Sequence, residues 1–155
     1  MRKPKKYKKS HNPDIKFNNI TVGRFINYLM RNGKKSVAEK ILYDCFDNIQ
    51  KEIKQEPLQV FEKALNNASP MIEVVSKRVG GANYQVPREV RPERKFFLAC
   101  KWIIDTSRAK KGKLMSRKLT DELFLAFKNE GSAIKKKQDM HRMAEANRAF
   151  AHFAR

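Results

Sequence analysis

A glycine pair between two strand-like runs is the feature that most constrains the fold of this chain. Gly80-Gly81 can adopt the positive φ angles that a two-residue hairpin turn requires. Residues 72–75 before the pair are mostly β-branched, and residues 83–88 after it alternate apolar and polar side chains, which is the period of a strand. Pro87 cannot donate to a ladder, so the second strand ends there or lies at an edge. The pattern predicts a β-hairpin over about residues 71–90.

The remainder of the sequence has the apolar spacing of helices. Apolar side chains recur at intervals of three and four, and Pro57 and Pro92 suit first helical turns. The segment Ser107–Ser116 is expected to be a basic loop. The predicted fold class is mainly α, with a six-helix body, a protruding two-stranded β-hairpin arm and a disordered basic N-terminal tail. The helices are expected at about residues 19–30, 36–54, 57–69, 92–106, 117–129 and 133–150.

The formal net charge of +19 on 155 residues is the strongest indication of function. Such an excess destabilises a compact chain by self-repulsion, and nucleic acid is the usual source of compensating charge. A membrane surface is the other candidate, but the basic residues are spread along the chain rather than gathered on one amphipathic helix. No apolar run approaches membrane-spanning length, and the N-terminus lacks the apolar region of a signal peptide. We therefore expect a nucleic-acid partner and no membrane association.

The length suits one domain with its own core. We expect residues 1–12 to form a basic tail, and residues 13–155 to form a single helical RNA-binding domain that carries the arm at about 71–90. The tail should be disordered in the free protein and fold against nucleic acid. Its basic residues are Arg2, Lys3, Lys5, Lys6, Lys8 and Lys9.

Basic residues concentrate in loops, near helix ends and along the hairpin, where backbone N–H groups also meet phosphates. One such run is usually a solvated surface, whereas five runs with few acids between them indicate a phosphate-binding surface. Besides the tail, the runs are Arg31–Lys35, the hairpin with Arg91 and Arg94, Arg108–Lys118, and Lys135–Lys137 with Arg142 and Arg148.

Tyr84 and Gln85 lie close to the predicted turn. In an RNA-binding arm, an aromatic side chain can stack on a base and an amide can read its edge. Packing of Tyr84 across the hairpin onto Val75 or Val79 is equally compatible with the sequence. The residues alone leave these two roles open.

Nothing in the sequence has the pattern of an active site or a metal site. Cys45 and Cys100 lie among apolar residues and are expected to be buried free thiols in a reducing compartment. The three histidines are too scattered to complete a metal site with them. His141 and Glu145 are neighbours on a predicted helix and are interpreted as a surface pair. We expect no catalytic residues, no metal, no cofactor and no small-molecule substrate.

Three blocks of sequence resemble the bacterial small-subunit ribosomal protein S-seven family, in the same order and along the full length. They are RFINYLM at 24–30 with GKKSVA at 33–38, RVGGANYQVP at 78–87, and HRMAEANRAFAH at 141–152. The resemblance implies a six-helix body with a protruding hairpin. It also implies a non-catalytic protein of the cytoplasmic ribosome that binds the 3′ major domain of 16S ribosomal RNA and nucleates assembly of the 30S head.

The same resemblance implies partners and site residues. Ribosomal proteins S-nine and S-eleven are the expected neighbours, exit-site transfer RNA and the messenger path lie nearby, and some bacterial members repress their own operon. Contacts that depend on the longer C-terminal extension of some relatives are expected to be missing. The transfer-RNA side maps onto Gly80, Gly81, Tyr84, Arg142 and Arg148. The ribosomal-RNA face maps onto the tail cations and Arg24, Arg31, Lys34, Lys35, Lys77, Arg78, Arg91, Arg94, Arg108, Lys110, Lys111, Lys113, Arg117 and Lys118.

Two rival functions remain open on the residues alone. An architectural DNA-binding protein could place the β-arm in a minor groove. An RNA-modifying enzyme would need a cofactor loop or a catalytic cluster, and neither is visible in the sequence.

Overall fold

The computed structural model describes residues 11–154 and, within them, every side chain except that of Ile53. Residues 1–10 of the predicted tail lie outside the described residues, and so do the six tail cations.

Within the described residues, the chain forms six α-helices, one antiparallel hairpin and a short C-terminal 3-10 helix. The predicted fold class, a mainly helical body with a two-stranded hairpin, is confirmed. The helices are α1 (Ile20–Leu29), α2 (Lys35–Ile53), α3 (Pro57–Ala68), α4 (Pro92–Ala109), α5 (Met115–Phe127), α6 (Ser132–Ala146) and the 3-10 helix (Arg148–Ala154). The strands are β1 (Ile72–Val79) and β2 (Ala82–Glu89).

The chain divides into two compact units, Met1–Lys40 and Ile41–Arg155. In the first unit, α1 begins where the Asn19 side chain accepts a hydrogen bond of 2.7 Å from the backbone N–H of Thr21. This contact satisfies one of the N–H groups that a helix start leaves without a partner. The apolar side of α1 is buried, as the spacing predicted; its members are Val22, Phe25, Ile26 and Leu29.

In the second unit, α4 is apolar around much of its circumference and is buried accordingly. Trp102, Ile103 and Ile104 of α4 are all buried, as predicted for a central helix. The side-chain amide of Asn67 donates hydrogen bonds of 2.9 and 3.1 Å to the carbonyl oxygens of Ala126 and Phe127. These bonds tie the end of α3 to the end of α5. The Ala126 carbonyl also accepts from the Asn129 backbone N–H, so Asn67 uses its second lone pair.

Both cysteines are buried free thiols, as predicted. Burial raises the pKa of Cys45 to about 12, although a hydrogen-bonding contact from Thr120 opposes that rise. A thiol with so high a pKa stays protonated and unreactive at neutral pH.

The hairpin turn has the geometry that its glycines predicted. Gly80 and Gly81 have φ angles of +57° and +91°, and they join a ladder in which Val79 pairs with Ala82. Pro87 pairs with Val74 inside the ladder. A two-stranded sheet has only edge strands, so the missing N–H of this proline interrupts no central ladder.

The two largest differences from the sequence prediction are at the end of α4 and at the end of α6. The expected loop at 107–116 begins later, because α4 continues to Ala109. Thr106 and Ser107 are buried inside this helix, and their hydroxyls donate to the carbonyls of Trp102 and Ile103 at 2.7 Å. Such bonds satisfy a hydroxyl within a helix, so these polar residues need not mark a loop.

The sixth helix was expected to run towards Phe150, but α6 ends at Ala146. The Asn147 side-chain amide donates to the Met143 carbonyl at 2.8 Å, and the chain then tightens into the 3-10 helix. Side-chain bonds of this kind compete with the helical ladder and favour a helix end.

Candidate nucleic-acid interface

Four lysines surround one open depression on the second unit. The loop between α4 and α5, Lys110–Leu114, is named here the lysine loop, and the depression beside it is named the lysine depression. Lys110, Lys111 and Lys113 of the loop and Lys118 of α5 line a volume of about 560 Å³, together with Asp121, Phe124 and Leu125. The structure therefore brings together four of the cations that the sequence predicted to contact RNA.

Two of these four lysines are already paired with carboxylates. Lys113 Nζ lies 3.0 Å from Asp121 Oδ2 at an exposed position, and Lys110 Nζ lies 2.6 Å from Glu122 Oε2. Lys111 and Lys118 form no ion pair with any residue between 11 and 154. These two lysines keep their full charge available for an external anion.

An aromatic side chain lines the lysine depression. Phe124 is half-buried, and the Lys128 ammonium lies 4.2 Å from its ring centroid. Aromatic rings beside cations can stack bases while the cations contact the backbone, which is how many single-stranded segments of RNA are bound. The depression therefore combines cations that can contact phosphates with the exposed part of an aromatic ring.

The base of the hairpin uses its cations differently. Glu73 of β1 is buried, and its carboxylate accepts hydrogen bonds from Arg88 of β2 at 2.8 and 3.1 Å and from Arg94 of α4 at 3.2 Å. Burial alone would raise the pKa of Glu73, but the hydrogen bonds and charges of the two arginines lower it below its ordinary value. The three side chains fasten the hairpin to α4.

The far half of the hairpin contacts the C-terminal 3-10 helix. The Tyr84 ring centroid lies 5.3 Å from that of Phe150 and 5.2 Å from that of Phe153, within the range of aromatic pairs. Lys77 donates a hydrogen bond of 2.6 Å to the Phe153 carbonyl. The sequence left Tyr84 open between base stacking and packing on Val75 or Val79, and its ring instead packs on two aromatics from the chain end.

His141 does not have the surface-pair geometry expected for it. Its Nε2 accepts a hydrogen bond of 3.0 Å from the Met71 backbone N–H. Burial, and secondly the charge of Lys137, lower the pKa of His141, which favours the neutral ring that this acceptor role requires. Lys137 itself donates to the Asn67 carbonyl at 2.7 Å, and burial lowers the pKa of Lys137 as well.

The remaining predicted contacts are distributed over both units. In the first unit, Arg24 is half-buried while Arg31, Lys34 and Lys35 are exposed, and Lys35 lies 3.8 Å from Glu39. In the second unit, Arg108 is half-buried and several cations are exposed. Those exposed cations are Arg78, Arg91, Arg117, Arg142 and Arg148, of which Arg117 lies 4.0 Å from Glu52 and Arg142 lies 3.6 Å from Asp139.

Two buried acids were missed by the sequence reading, although the sequence held a signal for each. Glu73 interrupts a β-branched run and stands opposite Arg88 in the hairpin register. Glu122 follows Leu119 by three residues and precedes Ala126 by four, so it lies on the apolar face of α5. An acid on an apolar face predicts a buried carboxylate with a cationic partner.

Residues 11–154 contain no group of three histidine, cysteine or acidic side chains placed to hold a metal ion. None of the helices in this described range combines the length and the apolar character needed to cross a bilayer.

A basic helical body, with lysines and an aromatic around one depression and with a β-hairpin, defines an RNA-binding protein. Comparison with known proteins identifies the family within this class. The family described as ribosomal protein S7p/S5e matches residues 1–148, and the chain belongs to this family.

Among curated relatives, the small ribosomal subunit protein uS7 of Desulfatibacillum aliphaticivorans is 56% identical over 141 residues, covering 91% of this chain and 90% of the relative. The uS7 protein of Thermotoga maritima is 50% identical over 153 residues, covering 99% of each chain. The protein is therefore a structural constituent of the small ribosomal subunit and not an enzyme, with ribosomal proteins and ribosomal RNA as partners.

Proposed function

We propose that this protein is a primary binder of 16S ribosomal RNA that nucleates assembly of the 30S head, in the 3′ major domain. The observation that carries the proposal is the lysine depression, where four lysines converge and two of them have no intramolecular ion pair within the described residues. Phosphates of converging RNA strands are the ligand that such a group of cations fits best.

The mechanism is electrostatic and geometric. Lysines and arginines neutralise phosphates where several RNA helices meet, and so they fix a junction that self-repulsion would otherwise splay. The helical body supplies rigidity, because its core side chains are buried on closely packed helices. Residues 13–155 act together as one RNA-binding domain, and the tail of residues 1–12 adds phosphate contacts.

A second surface serves the decoding side of the subunit. The hairpin tip at Gly80 and Gly81, with Tyr84, Arg142 and Arg148, lies towards exit-site transfer RNA and the messenger path. Support comes from the exposure of the glycines and both arginines, and from the aromatic group that Tyr84 forms with the chain end. Ribosomal proteins S-nine and S-eleven are the proposed protein neighbours. Binding to its own messenger, and so repression of its own operon, would use the same RNA-binding surfaces.

The test is the affinity of a 16S 3′ major-domain transcript for the double variant K111Q/K118Q. Loss of two unpaired lysines should weaken binding roughly tenfold or more at about 100 mM salt, because each removes a phosphate contact. The matched control is K40Q/K51Q, which removes the same charge from two exposed positions on α2 that are not proposed contacts.

Equal affinities for the two double variants would contradict the proposed site. Duplex DNA of the same length serves as competitor in both series. Competition as strong as that of the unlabelled transcript would show that the protein binds polyanions without preference for the RNA junction.

A further inference from the structure

We infer that Glu122 is a positioning residue for RNA binding, which holds the lysine loop in place although it is itself an acid. The inference rests on the proposed function of the lysine depression. It assigns a role in affinity to a buried carboxylate that no RNA phosphate can touch.

Glu122 joins three elements through one side chain. Its residue surface is fully buried, its Oε1 accepts a hydrogen bond of 2.9 Å from the Ala133 backbone N–H, and its Oε2 lies 2.6 Å from Lys110 Nζ. The Lys110 contact is a close ion pair without the alignment of a hydrogen bond. Through these contacts α5 is fastened both to the first turn of α6 and to the end of α4.

The turn before α6 packs closely against α5, the helix that carries Glu122. Gly131 has a φ angle of +94°, and a Cβ placed there would lie 3.4 Å from Glu122 Oε1 and 2.9 Å from the Leu125 Cβ. Only glycine combines this backbone angle with so close an approach. Glycine therefore lets the turn lie close against Leu125 of α5, two residues before the Ala133 N–H that Glu122 accepts from.

The Lys110 contact fixes the point at which the lysine loop leaves α4. Lys110 is the C-terminal cap of α4, and only five residues separate α4 from α5. Holding the first of those residues restricts where Lys111 and Lys113 can point. A loop ordered before binding loses less conformational freedom when RNA binds, and its affinity is higher for that reason.

The neighbouring acid provides an internal comparison. Asp121 pairs with Lys113 at an exposed position, where its side chain is 40% exposed against 0% for Glu122. An exposed ion pair holds its partners only weakly. The Asp121 carboxylate therefore subtracts charge from the depression, whereas the Glu122 carboxylate orders it.

The experiment measures affinity for the 16S 3′ major-domain transcript with E122Q and D121N, both of which raise the net charge by one. D121N should bind as well as the parent or up to about twofold more tightly, since it releases Lys113. E122Q should bind roughly three- to tenfold more weakly, because the loop loses its anchor. Its salt dependence should also be shallower than that of the parent, although its net charge is higher.

K110Q cuts the same ion pair from the other side and leaves the Glu122 bond to Ala133 available. It should weaken binding by more than K111Q, which removes one cation from the same depression without cutting the ion pair to Glu122. Binding is measured well below each melting temperature, so that loss of folded protein does not imitate loss of affinity. Should E122Q fail to fold, the comparison of K110Q with K111Q carries the test, because both remove one cation from the depression and only K110Q removes the anchor.

Tighter binding by E122Q, matching D121N, would overturn the inference, and so would equal affinities for K110Q and K111Q. These outcomes are separable from failure of the proposed function. If K111Q/K118Q weakens binding while E122Q does not, the depression binds RNA but Glu122 does not position it. If K111Q/K118Q binds as K40Q/K51Q does, the proposed site itself is wrong.

Discussion

The hairpin base and the lysine depression are both rich in cations, yet the two regions use them in opposite ways. At the hairpin base, Arg88 and Arg94 converge on the buried carboxylate of Glu73. In the depression, Lys111 and Lys118 have no intramolecular ion pair within residues 11–154. Cations of the first kind hold elements together, and cations of the second kind are free to bind an external phosphate.

The comparison shows that the number of basic residues does not tell how many of them are available to bind RNA. A net charge of +19 indicates a polyanionic partner, but part of the positive charge is engaged inside the fold. Arg94, predicted as an RNA contact, bonds to Glu73, and Lys77 bonds to the Phe153 carbonyl. We therefore propose that both contribute less to RNA affinity than the lysines of the depression.

The largest effect on stability is expected from R88Q/R94Q. This change leaves the Glu73 charge buried without its partners, and breaking a buried ion pair in this way costs several kcal/mol. Since both guanidinium groups are half exposed, we expect a loss of about 2–3 kcal/mol in the free energy of unfolding. Urea denaturation measures this free energy for the variant and the parent. The control R78Q/R91Q removes the same charge, and its free energy of unfolding should stay within about 0.5 kcal/mol of that of the parent. Equal losses of stability for the two double variants would show that the ion pairs at the hairpin base do not stabilise the fold.

A smaller, pH-dependent effect is expected from E73Q. Because the folded state lowers the pKa of Glu73, its stabilising contribution is present above the ordinary value of 4.5 and disappears as the pH falls through the folded value. At neutral pH, E73Q should be less stable than the parent by about 1 kcal/mol. That difference should shrink towards zero in acid, where Glu73 is protonated.

Urea unfolding between about pH 3 and 7 checks this prediction, and the pH range is chosen from the linkage relation. E89Q is the matched control, because Glu89 is exposed on β2. A difference between E73Q and the parent that is constant across the range would mean that the arginines do not shift the titration of Glu73.

An effect on stability no larger than that of E73Q is expected where the hairpin meets the chain end. Replacing both Phe150 and Phe153 by leucine keeps the side chains apolar and removes their ring contacts with Tyr84. Aromatic pairs contribute about 0.5–1.5 kcal/mol each beyond burial. Because Phe150 and Phe153 are both partly exposed, we expect a loss of about 1 kcal/mol for the two pairs together, the low end of their summed range. Hydrogen exchange at the Tyr84 and Val86 amides, which the register directs into the ladder, should rise while exchange in α4 is unchanged. Unchanged exchange at the hairpin would mean that the chain end does not support it.

The sequence predicted most of the fold because local signals were strong. The ability of glycine to adopt positive φ angles predicted the turn at Gly80-Gly81, and the spacing of apolar residues predicted the helices. Where the prediction was wrong, a polar side chain had found a local partner, as Ser107 does within α4 and Asn147 does at the end of α6. A helix boundary depends on such bonds, and residue type alone does not reveal them.

Less of the candidate site could be predicted. Basic runs located the lysine loop, but its division into paired and unpaired cations depends on which acids the fold brings close. Lys110 and Glu122 are twelve residues apart, and Arg94 and Glu73 are twenty-one apart. Pairings over such separations follow from tertiary packing, so charge patterns read along the chain miss them.

The most direct test compares the salt dependence of RNA affinity for K111Q/K118Q and R88Q/R94Q, with binding measured on folded protein. Each lost phosphate contact reduces the slope of log affinity against log salt by about 0.7–0.9, so the lysine variant should lose about 1.4–1.8 from the parent slope. The arginine variant should lose less than half of that, despite its larger loss of stability. A decrease in slope for the arginine variant that equals or exceeds that of the lysine variant would contradict this division. It would mean that the cations of the hairpin base bind RNA phosphates as the lysines of the depression do.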